Sequence, residues 1–140
     1  SHGLARETYR TKGEYIITKQ DFLNAVNFED KICNAFNYID MHNEKTGCDV
    51  YFHESREMVP VVPFRALIPK GSSRITVAGR IVSADRVSLA GIRAQCTCMA
   101  MGQAMGAAAA LAIKKGVPSR EIDAKDIVAL TVEHGACPIK

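Results

Sequence analysis

The hydrophobic pattern is short and broken up to about residue 72, and longer and helical beyond it. Tyr15, Ile16 and Ile17 are clustered β-formers and predict a strand or hairpin arm ending at Thr18. Thr18 with Asp21 three residues on predicts a helix start in a short variant of the capping box. The helix is expected over residues 19–26, with Phe22, Leu23 and Val26 on one face. Residues 31–41 alternate in places and carry Ile32, Phe36, Tyr38 and Ile39, which predicts a strand. Residues 42–47 read as a turn or exposed loop and residues 51–57 as another strand. Pro60 and Pro63 hold their predecessors extended, and Pro69-Lys70-Gly71-Ser72-Ser73 is the clearest turn in the chain.

After that turn the pattern changes. Ile75-Thr76-Val77-Ala78 predicts a short buried strand that turns sharply at Gly79. A polar loop through Arg80, Ser83, Asp85, Arg86 and Arg93 follows. Residues 98–113 then predict a small-residue helix in which Gln103 is the only strongly polar side chain. Lys114 and Lys115 fall in its last turn, with Gly116 and Pro118 beyond, a well-punctuated helix end. Asp123 is placed to cap a last helix over residues 124–134, which Gly135 stops.

Composition narrows the class. A chain of 140 residues with 47% apolar and 24% charged content is an ordinary globular domain with mixed α and β structure. The net charge of +3 is dispersed, with no basic run, which argues against a nucleic-acid partner. The predicted apolar helix is too short and alanine-rich to favour a membrane span. Five cysteines in a chain able to build its own core read as reduced thiols, which favours the cytoplasm without deciding the compartment. Ser1-His2-Gly3 reads as a cloning remnant, and the chain is expected to be a piece of a longer protein.

Candidate chemistry concentrates between residues 75 and 113. A glycine after a buried strand lets backbone approach a ligand closely. A helix starting near Thr97 offers free amides and a partial positive charge to an electron-rich group, and Arg80 and Arg93 can add charge-assisted hydrogen bonds. Gly102, Gly106 and Ala110 recur every four residues and open one face to close packing, the commoner role of such a helix. Cys98 at a helix start is either a thiol of lowered pKa or, more economically, a packed one. Cys96 and Cys98 lack the spacing and partners of a zinc site, so no metal is expected. His42 and His53 read as surface or hydrogen-bonded residues, and Glu14 as half of a structural ion pair; Arg65 is left between a salt bridge and a substrate contact. No GxGxxG or P-loop is present.

Several segments resemble a known family in order and spacing. They are Arg6-Glu7-Thr8, Gly13-Glu14-Tyr15, residues 38–42 and residues 63–71, then Ile75-Thr76-Val77-Ala78-Gly79-Arg80, Ser83-Ala84, Ile92-Arg93 and residues 97–106. Together they are similar to the C-terminal part of FAD-dependent oxidoreductases of the glutathione-reductase-like superfold. The resemblance implies a C-terminal fragment of an FAD-binding α/β fold, without the glycine-rich unit that holds the ADP half. It implies a strand-rich substrate-side region over residues 1–72, the last strand and helix of the FAD-binding domain over 73–116, and a C-terminal helix and tail over 117–140, in one compact unit. Gly79, Arg80, Arg93, Thr97, Cys98 and Met99 would contact FAD, and Arg65 is a candidate for the substrate. The expected function is hydride or electron-pair transfer to or from an unidentified small organic substrate, with the rest of the parent chain as partner. A non-catalytic packing or partner-binding domain is the alternative. On the fragment reading the apolar helix, left without its sheet, is expected to self-associate or repack.

Overall fold

The computed structural model describes residues 9–43, 47–55 and 57–139. The segment Arg6-Glu7-Thr8 lies outside them, as do the side chains of His42 and Asn43.

Thr18 and Asp21 close the expected capping box at the start of α1 (Lys19–Leu23). The helix stops at Asn24, shorter than predicted, and Ala25 follows at φ 45°. Ahead of it, among the described residues, no strand forms. Gly13 and Ile17 instead make single bridges, to Pro69 and Ala84. Residues 31–41 are two strands rather than one, β1 (Lys31–Asn34) and β2 (Ile39–Asn43), separated by a loop that exposes Phe36. β3 (Gly47–Tyr51) pairs antiparallel with β2, Ile39 opposite Tyr51 and Asn43 opposite Gly47. His42 and Asn43 are therefore strand residues, and the strand expected over 51–57 ends at Tyr51 instead. β4 (Val61–Pro63) pairs with β1, as the extended proline segment predicted. Two small antiparallel sheets result. The turn after Pro69 closes with Ser72 N–H donating to the Pro69 carbonyl and Gly71 at φ 80°.

Residues 75–78 do not form the predicted strand. They run extended on the surface, Val77 N–H donates to the Leu67 carbonyl, and Ile75 is 63% exposed. A buried strand needs strand neighbours on its edges, and none of the described strands pairs with this segment. Gly79 then opens a 3₁₀ turn, Gly79–Ile81.

The polar loop expected between Arg80 and Arg93 contains a helix, α2 (Arg86–Ile92). Asp85 caps it through Oδ1 to Ser88 N–H at 2.7 Å, while its Oδ2 accepts from Lys19 N–H at 2.7 Å. One carboxylate thus ties the starts of α1 and α2 together. Ser88, fully buried, donates to the Ile17 carbonyl at 2.8 Å. After a two-residue break at Arg93 and Ala94 comes α3 (Gln95–Lys115), longer than predicted at its start and ended by Gly116 at φ 69°. α4 (Ala124–Glu133) is capped by Asp123. α3 packs on β1, α4 and the Gly79 turn, and α2 packs on β2 and α1. The core between them is built from Ile17, Phe22, Ile39, Leu67, Leu89, Ile92, Met101 and Ile127.

At 21 residues α3 is long and apolar enough to cross a bilayer by length and composition, so the argument from shortness does not hold. One of its faces, with Met101, Ala104, Met105, Ala108 and Ala112, is nevertheless spent on the protein core.

Candidate active site at the start of helix α3

The extended segment 75–78 and the start of α3 meet through the 3₁₀ turn. Gly79 sits at φ 80°, a conformation that other residues adopt at a cost, and a Cβ there would meet nothing within 4 Å. It directs Arg80 back over the start of α3, where Arg80 Nε lies 3.4 Å from the Arg93 carbonyl. Arg93 itself is buried, and its Nη2 donates to the Asp40 carbonyl at 2.6 Å. That bond anchors the end of α2 to β2. The Asp40 side chain accepts from the Cys48 thiol at 2.7 Å. A polar cleft of about 380 Å³ lies here, lined by Asn37, Asp40, Arg80, Arg93 and Gln95 among others.

The α-helices differ at their N-termini. Thr18, Asp85 and Asp123 cap α1, α2 and α4, whereas Ala94, at the start of the longest helix, provides no side-chain cap. The first helical bond runs from Cys98 N–H to the Ala94 carbonyl, so the amides of Gln95, Cys96 and Thr97 precede the hydrogen-bonded ladder. Their partial positive charge lies in the same part of the molecule as the Arg80 guanidinium. Thr97, 1% exposed, has a buried Oγ1 with no hydrogen-bond partner among the described residues. An uncapped helix end, an unmet hydroxyl and an open glycine turn suit an electron-rich, extended ligand.

A second cleft, of about 500 Å³, flanks the same helix start and is lined by Cys33, Cys96, Thr97, Met99 and Cys137 among others. All five thiols are free. Burial pushes the Cys33 thiol up to about 12, and the neighbouring Cys98 and Cys96 act in the same direction. Burial also pushes the Cys98 thiol up, and Arg80 only partly opposes it. Of the two readings of Cys98, the structure supports the packed thiol, which burial holds protonated. Among the described residues no group of three or more His, Cys, Asp or Glu side chains assembles to hold a metal.

Of the residues singled out from the sequence, the structure brings together Gly79, Arg80, Arg93, Thr97 and Cys98 around the start of α3. Met99 lies one step round the helix, 74% exposed. Arg65 is elsewhere: its guanidinium lies over the Tyr15 and Phe28 rings at 4.7 and 5.5 Å, and Nε is 3.8 Å from Asp30 Oδ1. Glu14 pairs with Arg120 at 3.7 Å. Asn37, Asp40 and Gln95 were not legible as site residues, because the first two reach the cleft only through the folding of β2 beside α2. Gln95 carries no local signal either, because Arg93 and Ala94 before it are both good helix formers and the break between α2 and α3 appears only in the fold.

A helix start without a side-chain cap, an arginine over it and a glycine turn at the end of an extended segment thus lie together. The sequence profile of the family described as FAD dependent oxidoreductase matches residues 4–130. The chain belongs to that family, whose cofactor is FAD. No curated protein and no solved structure matches the chain.

Proposed function

We propose that this chain provides the flavin-facing end of an oxidoreductase that moves a hydride or electron pair to or from an organic substrate. The uncapped start of α3 beside Arg80 carries the reading. Bound FAD supplies two-electron redox chemistry at its isoalloxazine ring. The amides of Gln95, Cys96 and Thr97 favour the negative charge that reduction places on the pyrimidine edge. Arg80 adds a full positive charge beside them. Arg93, held to the Asp40 carbonyl, fixes the loop from which α3 starts. The Thr97 hydroxyl has hydrogen-bonding capacity that the described residues leave unused. Gly79 leaves room at its Cα for the cofactor chain. Cys98 packs at the same helix start with its proton held on sulfur, and Met99 stands exposed one residue on, open to the cofactor.

The test uses the intact parent protein. It should show flavin absorbance in the visible, and Arg80→Gln should weaken FAD binding about tenfold and lower the flavin midpoint potential. A colourless intact protein that also ignores added FAD sinks the reading. The 140-residue chain alone should retain FAD weakly, because it contains no glycine-rich nucleotide turn. Tight stoichiometric binding by this chain alone would overturn the half-site reading.

A further inference from the structure

The loop between β1 and β2 is a wall shared by three clefts. Phe36 lines the cysteine-bearing cleft and a third cleft of about 500 Å³; Asn37 lines that third cleft and the polar cleft at Arg80. The third cleft is also lined by Tyr38, Phe52, His53 and Glu54. Tyr38 and Phe52 lie with ring centroids 5.3 Å apart and planes tilted by 41°. His53 sits behind them, packed on Phe22 at 5.2 Å with Nδ1 3.4 Å from the Leu23 carbonyl, so that wall is anchored to the core.

The rings of this region fall into two groups. Tyr15 and Phe28 are faced by Arg65, and Tyr51 by Lys19 Nζ at 5.4 Å. Phe36, Tyr38 and Phe52 face no cation among the described residues, and all three are exposed, Phe52 by 73%. Ring faces carry the negative side of an aromatic quadrupole, and a carboxylate stands at the edge of the same cleft in Glu54. A neutral apolar ligand would gain from the rings and nothing from Glu54; an anion would be repelled by it.

We infer that this cleft binds an organic ammonium ion, seated on the Phe36, Tyr38 and Phe52 rings with Glu54 as counter-charge. Resting on the FAD reading above, it is the substrate site: only the wall of Phe36 and Asn37 stands between it and the two clefts at the start of α3. The substrate class is then an amine or a quaternary ammonium compound.

The test is calorimetric titration of the FAD-free 140-residue chain with choline and with 3,3-dimethylbutan-1-ol, its neutral carbon isostere. Choline should bind at least about tenfold more tightly than the alcohol, and Phe52→Leu and Glu54→Gln should each weaken it about fivefold. Both side chains are exposed, so neither variant removes core packing. Equal binding of the two probes, choline binding unaffected by both substitutions, or no choline binding up to concentrations on the order of tens of millimolar overturns the inference. Because FAD takes no part in the measurement, such a result leaves the flavin reading to the absorbance test.

Discussion

Gly91 shows how closely single positions are specified. A Cβ there would stand 2.3 Å from Cζ of Phe22, a fully buried ring in the heart of the core. Both partners are backed by packed elements, α1 and α2, so neither can withdraw freely. Gly91→Ala is expected to lose about 1–3 kcal/mol by overpacking, read as a lower midpoint in chemical denaturation. Cys33 makes a second prediction, in pH. Its thiol is pushed from an ordinary 9.0 up to about 12 by burial. Below about pH 9 folded and unfolded chains both hold the proton, and its contribution to stability is complete. Above that the unfolded chain ionises first, so stability falls by up to about 1.4 kcal/mol per pH unit until about 12. Cys98 and Tyr15 are shifted in the same direction and add to the slope. Denaturation midpoints of wild type and Cys33→Ala across pH 8–11 isolate the Cys33 part, and parallel curves would refute it.

Among the elements, α3 joins stability to function. Its unmet Thr97 hydroxyl is costly in a buried place, by about 1–3 kcal/mol. Thr97→Val keeps the shape and removes the unpaired group, so the chain alone should become more stable while the intact protein binds FAD less tightly. Thermal unfolding and flavin titration measure the two halves, and a variant that gains affinity would contradict the site. Helix ends were the most legible features of the sequence: the Thr18–Asp21 box, the Gly116 stop and the Asp123 cap all form where their residues stand. The reason is that capping is satisfied within a single turn of chain. α2 carried the same signal, Asp85 before Val87, Leu89 and Ile92, but its flanking arginines disguised it as a loop. Residues 75–78 had the composition of a strand, yet a strand exists only where other backbone offers hydrogen bonds. None of the described strands reaches it.

For the molecule as a whole, the open side of α3 is the largest consequence. Gly102 and Gly106 meet nothing within 4 Å, Ala110 is exposed beside them, and Ile113 is 84% exposed. The chain should therefore self-associate as concentration rises, and Ile113→Lys should shift it toward monomer in sedimentation or gel filtration. A wild type that stays monomeric at all concentrations would sink this expectation. Family membership was legible as an ordered series of short motifs, because those residues keep their sequence spacing whatever packs around them. The sequence by itself determined the mixed α/β class, three helix ends (the Thr18–Asp21 box, the Gly116 stop and the Asp123 cap) and the cluster of Gly79, Arg80, Arg93 and Thr97 near one helix start. Only the tertiary structure decided that α3 begins uncapped at Gln95, that Cys98 is packed and protonated, that Arg65 is occupied with Tyr15, Phe28 and Asp30, and that Phe36, Tyr38 and Phe52 gather at one cleft. Each of these depends on contacts between residues far apart in the chain, which local propensity does not encode.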